Sequence, residues 1–347
     1  MQPLIDVGIL GATGVVGQQF VARLARHPWF RPAWLAASER SEGKAYGAVA
    51  PWRLAAPIPE ALAPMTLDAC EPGRGPRVIF SALDAAVAGE IEQAFAAAGH
   101  FVVTNARNYR MDPLVPLLVP EVNPDHLSLV PEQQKQKAWR GAIVTNPNCS
   151  TVVLALALAP LRVFDVQRVV VSTMQAVSGA GYPGVPSLDI LGNVVPFIGG
   201  EEEKMESETR KILGTHGGRT PHPATISAHT NRVAVLDGHT MTVSVDLGAR
   251  PSPDEVAHAL ETFRGRPQAL NLPSAPHPPI LVLREPNRPQ PRLDADRGDG
   301  MAISVGRIRP CPVTHTKFVA LGHNTVRGAA GAAILNAELM AADGLFD

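Results

Sequence analysis

The segment NPNCST, residues 146–151, combines a nucleophilic side chain with a position suited to activating it. The β-branched run at residues 143–145 predicts a strand, and the apolar run at 151–161 predicts a helix. Cys149 would then lie on a strand-to-helix turn, where unpaired N–H groups and the helix dipole favour a thiolate. Asn148 and the amides after Cys149 could also hold an oxyanion. A catalytic cysteine and a buried structural cysteine both remain open at this point.

A second segment, NRVAVLDGH at residues 231–239, contains an arginine and a histidine seven positions apart. Along an unbroken strand Arg232 and His239 would face opposite sides. Asp237-Gly238 is a turn signal that resets the phase and permits the two side chains to converge. His239 also begins an alternating strand pattern, so it is either a general base at a buried site or a structural histidine.

The glycine-rich segment GATGVVG, residues 11–17, follows a predicted strand at 5–10 and precedes a helical pattern. A turn of this kind bends tightly and lets a pyrophosphate rest on a helix N-terminus. Its spacing is GxxGxxG, so the segment predicts a dinucleotide site, with an ordinary turn as the alternative. The next predicted strand ends at Ser38, Arg40 and Ser41, whose phosphate donors favour NADP over NAD.

Further strands at 78–82 and 101–104, with a helix at 84–98, alternate as in a doubly wound parallel sheet. The fold class is therefore predicted as α/β, a Rossmann-type sheet with a second α+β domain. The pattern changes after the cysteine helix, with strands at 168–173 and 239–247, and a C-terminal alanine-rich helix could return to the first domain. Residues 125–140 and 273–291 are predicted as loops.

Other polar residues carry weaker signals. Arg107 or Arg110 follows a strand end and could hold an anion, and Gln175 could bind a carbonyl. Glu201 and Lys204 open a predicted helix at 201–213, where a solvated helix end is the simplest interpretation.

Composition narrows the class of protein. With 31 Lys+Arg against 32 Asp+Glu, the formal net charge is -1, so no overall field draws the chain to nucleic acid or membrane. Three cysteines without a CxxC pair argue against a disulfide framework and a cysteine-based metal site. We expect a reducing cytoplasm, no metal, and neither a signal peptide nor a membrane span.

Four motifs together resemble the aspartate-semialdehyde dehydrogenases, nearest to the archaeal and fungal branch. They are GATGVVG at 11–17, NPNCST at 146–151, QAVSGAGYPG at 175–184 and NRVAVLDGH at 231–239, and the similarity extends to GHNTVRGAAGAA at 322–333. The resemblance implies NADPH-dependent reduction of L-aspartyl 4-phosphate to aspartate semialdehyde, in the pathway to lysine, threonine and methionine. It also implies a homodimer or homotetramer formed through the second domain.

The resemblance also implies roles for individual residues. Cys149 is expected to be the nucleophile that forms a thioacyl intermediate, His239 the acid/base and Gln175 an orienting group, with Asn148 beside them. Substrate contacts are expected at Arg110, Glu201, Lys204 and Arg232, with Arg232 on the carboxylate, Glu201 on the amino group, and Lys204 and Arg110 on the phosphoryl group. Cofactor contacts are expected at Gly11, Thr13, Gly14, Val15, Val16, Ser38, Arg40, Ser41, Ser81, Ser178, Gly179 and Asn324.

Two domains are predicted on this basis. Residues 1–148 form the NADP-binding domain, completed by the C-terminal helix at 324–347, and residues 149–323 form the catalytic and dimerisation domain. The chain departs from the family pattern at His229, Thr230, Ala234 and near Asp84, none of which is a reacting group. An acyl-CoA reductase such as malonyl-CoA reductase, a catalytically silent NADP-binding regulator and a cysteine hydrolase are the alternatives.

Overall fold

The structure, a computed structural model, describes residues 4–346. Residues 1–3 and Asp347, which fall inside the predicted first domain, lie outside the described residues. The α-helices are α1 (Val15–Leu24), α2 (Tyr46–Val49), α3 (Ala85–Ala98), α4 (Leu129–Lys137), α5 (Cys149–Leu158), α6 (Ser187–Ile190), α7 (Glu201–Leu213), α8 (Pro253–Thr262), α9 (Arg266–Ala269), α10 (Pro291–Asp294) and α11 (Gly331–Ala342).

The first sheet is entirely parallel. Its strands are β1 (Ile5–Leu10), β2 (Phe30–Ala37), β3 (Leu67–Ala69), β4 (Val78–Ser81), β5 (Phe101–Thr104) and β6 (Ala142–Thr145). They lie in the order β3-β2-β1-β4-β5-β6, which is the doubly wound order of dinucleotide-binding folds. The predicted α/β fold class is therefore confirmed.

The second sheet is mixed. It consists of β7 (Val166–Gln175), β8 (Thr225–Arg232), β9 (His239–Leu247), β10 (Ile280–Leu283), β11 (Ile303–Pro310) and β12 (Thr316–Gly322), in the order β10-β11-β12-β9-β7-β8. The β7–β8 and β10–β11 pairs are parallel, and the other three pairs are antiparallel. This is the α+β region predicted for the second part of the chain.

Two hydrophobic clusters lie on either side of the cysteine turn. Strand β6 ends the first sheet, whereas α5 is buried along its length and packs into the cluster of the second sheet with Val243 and Phe318. The C-terminal helix α11 belongs to the other cluster, where Leu335 and Met340 pack with Val7 and Phe20 of the first sheet and α1. Cys149 therefore lies at the junction of the two cores.

Two predicted loops are wrong. Residues 125–140 contain a short 3-10 helix, Pro124–Ser128, followed by α4, because the side chain of Gln133 is buried and satisfies the N–H and C=O of Ile143 and the C=O of Leu114. Residues 273–291 contain β10, because the ILVL run between the prolines pairs with β11. Within residues 4–346, no helix combines the length and apolar character needed to cross a membrane.

Candidate active site

The nucleophile candidate opens a buried helix. Cys149 is the first residue of α5, and Asn148 is the N-cap, whose Oδ1 accepts from the N–H groups of Ser150 at 2.9 Å and Thr151 at 3.3 Å. This side-chain cap satisfies two of the donors that a helix start leaves unpaired. The N–H groups of Ser150 and Thr151 therefore already donate to Asn148. The role of Asn148 and these amides in holding an oxyanion stays a prediction.

The imidazole of His239 faces the thiol. Its Nε2 lies 3.2 Å from Sγ of Cys149, and the N–H of Ala176 donates to its Nδ1 at 3.1 Å. Because Nδ1 accepts a hydrogen bond, the proton of the neutral ring is on Nε2 and points at the sulfur. Burial, with Arg232 and His323 nearby, lowers the pKa of His239 to about 3, so the ring is neutral at physiological pH.

The thiol is harder to ionise than its place on the turn suggested. Burial and, to a smaller extent, the carboxylate of Glu201 raise the pKa of Cys149 to about 12, against the opposing effects of Arg110, Arg232 and the backbone N–H of Ser150. The expectation of a lowered thiol pKa is therefore wrong for the described state. Desolvation and a nearby anion outweigh the favourable helix start.

Arg232 and His239 come together as the sequence indicated. Arg232 ends β8, His239 begins β9, and Gly238 in the turn between them has φ +96°. A Cβ on Gly179 would lie 2.9 Å from Nη1 of Arg232 and 3.1 Å from Cε1 of His239. The absence of a side chain at Gly179 leaves room beside the guanidinium of Arg232 and the imidazole of His239. Gln175, at the end of β7, is buried close by and donates to Thr173 Oγ1 at 3.3 Å.

The acidic start of α7 points inward. Glu201 is 6% exposed, and its Oε1 accepts from Nδ2 of Asn148 at 2.7 Å. Its Oε2 lies 3.4 Å from Nζ of Lys204. The prediction that Glu201 lies at a solvated helix end is therefore wrong. Asn148 links this carboxylate to the nucleophile turn, so the three side chains form one polar group beside Cys149.

Arg110 is connected to the turn at Asn148 and Cys149 through Glu208, which the sequence did not single out. Its Nη1 donates to Glu208 Oε1 at 3.0 Å, and its Nη2 donates to the carbonyl of Asn105 at 2.7 Å. Glu208 Oε2 accepts from the backbone N–H of Asn148 at 2.6 Å. The available signal was spacing, because residues 201, 204, 208 and 211 are all charged and lie on one face of α7.

The glycine-rich turn is built for an anion. Gly11 has φ +70°, and a Cβ on Gly17 would lie 2.2 Å from the carbonyl oxygen of Gly11. Gly14 is the N-cap of α1 and provides no side-chain cap, so the first amides of this helix keep their donors for a ligand. Thr13 and Val16 lie on the same turn. These residues fit a dinucleotide pyrophosphate.

Of the remaining cofactor candidates, Val15 and Ser178 line one cavity. This cavity of about 270 Å³ is lined by residues of both regions, including Val15, Ser178, Tyr182, Leu236 and Thr325. Asn324 donates to Ser178 Oγ at 2.7 Å and accepts from the N–H of Gly238 at 2.9 Å. Ser81 at the end of β4 donates to Glu92 at 2.6 Å. Ser38 is the N-cap residue of the short 3-10 helix Glu39–Ser41, which contains Arg40 and Ser41, and its side chain makes no capping hydrogen bond.

A dinucleotide-binding sheet, an adjoining mixed sheet and a thiol–imidazole pair at their junction define a cysteine-dependent nicotinamide oxidoreductase. Within residues 4–346, no three His, Cys, Asp or Glu side chains are grouped to hold a metal ion. Two family models match the chain: the NAD binding domain of semialdehyde dehydrogenase over residues 6–130, and the semialdehyde dehydrogenase dimerisation domain over 158–327.

Individual relatives agree with these models. The aspartate-semialdehyde dehydrogenase of Archaeoglobus fulgidus is 51% identical over 96% of this chain and 97% of its own, and that of Schizosaccharomyces pombe is 49% identical over 98% of both. The crystal structure of the Candida albicans enzyme with NADP superposes with a TM-score of 0.90, at 42% identity over 99% of both chains. The chain belongs to the aspartate-semialdehyde dehydrogenase family.

Proposed function

We propose that this protein reduces L-aspartyl 4-phosphate to L-aspartate 4-semialdehyde and phosphate with NADPH, through a thioacyl intermediate on Cys149. The observation that carries the proposal is the 3.2 Å contact between Sγ of Cys149 and Nε2 of His239, at a helix start between the two sheets. The relatives described above are named for this aldehyde. The pathway to lysine, threonine and methionine follows from that product.

In the first half-reaction, Sγ of Cys149 attacks the acyl carbon and the C–O bond to phosphate breaks. The bonding electrons leave with phosphate, which also takes the thiol proton, and a thioester remains on the protein. Arg110 and Lys204 are the cations proposed to hold the phosphoryl group. Since Nε2 of His239 already carries its proton, the imidazole stays a hydrogen-bond donor to the sulfur during this step.

In the second half-reaction, bound NADPH would supply a hydride to the thioester carbon. Nε2–H of His239 is placed to donate to the oxygen that develops negative charge there. Expulsion of sulfur from that carbon releases the aldehyde and leaves a thiolate, which takes a proton from solvent to restore the thiol of Cys149. Buried Gln175 is proposed to orient the acyl oxygen, and Asn148 to fix the turn on which the sulfur is carried.

The carboxylate and amino groups of the substrate are proposed to bind Arg232 and Glu201. Arg232 uses Nη1 on the carbonyl of Ala176 at 2.8 Å, which sets the guanidinium plane for a carboxylate. Glu201 faces the site as the partner for the substrate amino group. Pairing of Glu201 with an ammonium would remove the carboxylate influence that raises the pKa of Cys149, so substrate binding itself would favour the thiolate.

For the cofactor, we propose NADP(H) as the physiological form. Ser38, Arg40 and Ser41 follow β2 at the ribose end of the site, where hydroxyls and a guanidinium suit an extra phosphate. The Candida albicans relative was solved with NADP. The other proposed contacts are Gly11, Thr13, Gly14, Val15, Val16, Ser81, Ser178, Gly179 and Asn324.

The alternatives have less support. The relatives described above are named for aspartate semialdehyde and not for an acyl-CoA, so an acyl-CoA reductase is not favoured. A silent regulator would have no need of a thiol and an imidazole held at 3.2 Å. A hydrolase would have no need of the dinucleotide turn.

Assembly and domain limits belong to the same proposal. We propose a homodimer or homotetramer in a reducing cytoplasm, formed through the second domain, where Leu188, Leu191 and Phe197 are exposed between β7 and α7. The matching dimerisation model covers this segment. We also propose domains at 1–148 with 324–347 and at 149–323. Light scattering of the purified protein would test the assembly, with a monomer as the contradicting result.

The first experiment follows nicotinamide absorbance in the oxidative direction with aspartate semialdehyde, phosphate and NADP. We expect reduction of NADP that depends on phosphate and is lost in Cys149→Ala. No turnover with the semialdehyde, but oxidation of NADPH on adding malonyl-CoA, would transfer the assignment to the acyl-CoA reductase. Absence of both reactions in a protein that binds NADPH would favour the regulator.

A further inference from the structure

We propose that Glu208 is a positioning residue that joins the phosphoryl-binding arginine to the nucleophile turn, with Lys211 fixing the loop behind that arginine. The inference rests on the function proposed above, because it assigns Arg110 to the phosphoryl group. It concerns two residues outside the set of expected substrate contacts. Both lie on α7, on the same face as Glu201 and Lys204.

Glu208 uses each of its oxygens for a different part of the site. Oε1 accepts from Arg110 at 3.0 Å, and Oε2 accepts from the N–H of Asn148 at 2.6 Å. Its side chain is 2% exposed, so water does not compete for these bonds. One rigid carboxylate therefore sets the distance between a cation and the turn that carries Cys149. These partners are 98 and 60 residues away along the chain.

Arg110 still has a donor to offer when Glu208 holds it. Nη1 and Nη2 are bonded to Glu208 and to the carbonyl of Asn105, whereas the buried Nε has no hydrogen-bond partner within the described residues. A buried donor without a partner is costly unless a ligand satisfies it. The unpartnered Nε is the atom we assign to a phosphoryl oxygen, and Glu208 is the group that fixes its direction.

Lys211 fixes the backbone of Arg110 and of the loop that follows it. Its Nζ donates to the carbonyls of Arg110 at 2.8 Å, Asp112 at 2.8 Å and Val115 at 3.2 Å, which uses all three ammonium protons. Burial lowers the pKa of Lys211 to about 8, against the opposing effects of the carboxylates of Asp112 and Glu208, so the ammonium group is still protonated at neutral pH. Helix α7 therefore bonds to the guanidinium of Arg110 through Glu208 and to its backbone carbonyl through Lys211.

The test compares Glu208→Gln with Glu206→Gln. A glutamine at 208 keeps the shape but can accept through only one oxygen, so the bonds to Arg110 and to Asn148 cannot both persist. Glu206 is a matched control, because it lies on the same helix and accepts a backbone N–H, that of Ala228, at 3.0 Å. We expect KM for inorganic phosphate to rise about tenfold or more in Glu208→Gln alone, with NADP affinity unchanged.

A double-mutant cycle with Arg110→Ala separates positioning from general damage. In the absence of Arg110, Glu208→Gln should no longer change KM for phosphate, because the group through which it acts is gone. An equal effect of Glu208→Gln with and without Arg110, or a phosphate KM matching that of Glu206→Gln, would overturn the inference. A wild-type protein without phosphate-dependent turnover would instead overturn the proposed function.

If Glu208→Gln fails to fold, a crystal structure of the unsubstituted protein with inorganic phosphate decides the question. We expect phosphate on Nε of Arg110 with both Glu208 bonds intact. Phosphate bound away from Arg110, or Arg110 released from Glu208 in that complex, would contradict the assignment.

Discussion

Two strand-to-helix turns at the same edge of the first sheet use their amides in opposite ways. The turn from β1 to α1 begins its helix at Gly14 without a side-chain cap. The turn from β6 to α5 begins its helix at Asn148, whose Oδ1 takes two of the first amides. The first turn keeps its N–H groups for an anion, whereas the second uses them to hold its own shape.

The difference explains why one architecture serves two tasks. A cofactor phosphate is bound by backbone donors, which glycines leave accessible. A nucleophile needs a fixed direction more than free donors, and Asn148 supplies it while linking the turn to Glu201. The pKa of the thiol on this second turn is raised by burial and by the nearby Glu201 carboxylate. Substitutions that change one turn and spare the other would separate the two tasks.

The largest effect should come from the nucleophile. Cys149→Ser replaces the sulfur with a less acidic hydroxyl, and His239 cannot take its proton because the Nε2 that faces it is already protonated, so turnover should fall about a thousandfold or more. NADPH binding, followed by fluorescence, should be unchanged because the α1 turn is intact. Parallel loss of cofactor binding would show that the two turns are not independent.

The next effect should come from the cofactor turn. In Gly17→Ala, the new Cβ would meet the carbonyl oxygen of Gly11 at 2.2 Å, so the turn must open. We expect the Kd for NADPH to rise about tenfold or more. At Gly14 a Cβ would lie 3.4 Å from the same oxygen, so Gly14→Ala should cost less. Equal losses in the two variants would refute the steric explanation.

The pH dependence of thiol alkylation should show the electrostatics of the second turn. With the pKa of Cys149 near 12, alkylation by iodoacetamide should rise about tenfold per pH unit, without a plateau below about pH 10. Glu201→Gln removes an anion that disfavours the thiolate, so the pKa should fall and alkylation at about pH 8 should accelerate several-fold.

This measurement needs a background without the other thiols. The pKa of Cys311 is lowered to about 7, chiefly by hydrogen bonds from Thr314 and Val313 that outweigh its burial, so it would react first. Cys70→Ser and Cys311→Ser remove the competition. Glu202→Gln is the control, because Glu202 accepts from the N–H of Thr230 on β8. The same acceleration in Glu202→Gln would contradict the assignment to Glu201.

The smallest effect should come from the cap. Asn148→Ala leaves the amides of Ser150 and Thr151 without their acceptor, which costs about 1 kcal/mol and should speed their hydrogen exchange about fivefold. Asp84→Ala is the matched variant, since Asp84 caps α3 through the N–H of Ala86 at 2.8 Å. Both should lose protection locally, but only Asn148→Ala should slow turnover. Unchanged turnover in both variants would contradict a role of the Asn148 cap in catalysis.

Much of the fold was predictable because its signals are local. The strand at 5–10, the glycine turn and the helix at 201–213 agree with the observed bounds of β1, α1 and α7. The turn at Asp237-Gly238 was sufficient to indicate that Arg232 and His239 converge. In each case the residues that decide the geometry are neighbours in sequence.

The remainder depended on partners that are distant in sequence. Glu208 and Lys211 look like ordinary charges of a solvated helix until Arg110 and Asn148 are brought beside them. Gln133 converts a polar stretch into a helix only because β6 supplies the backbone groups that its amide satisfies. The raised pKa of Cys149 follows from burial, which no local pattern reports.

The position of α11 in the first hydrophobic cluster has a consequence for synthesis of the chain. Val7 and Phe20 leave the ribosome more than three hundred residues before Met340, which packs in the same core. The second sheet, from β7 to β12, is complete before that helix emerges. We therefore expect the nascent N-terminal half to present unburied apolar surface until translation is nearly finished, which makes it the segment that chaperones would hold.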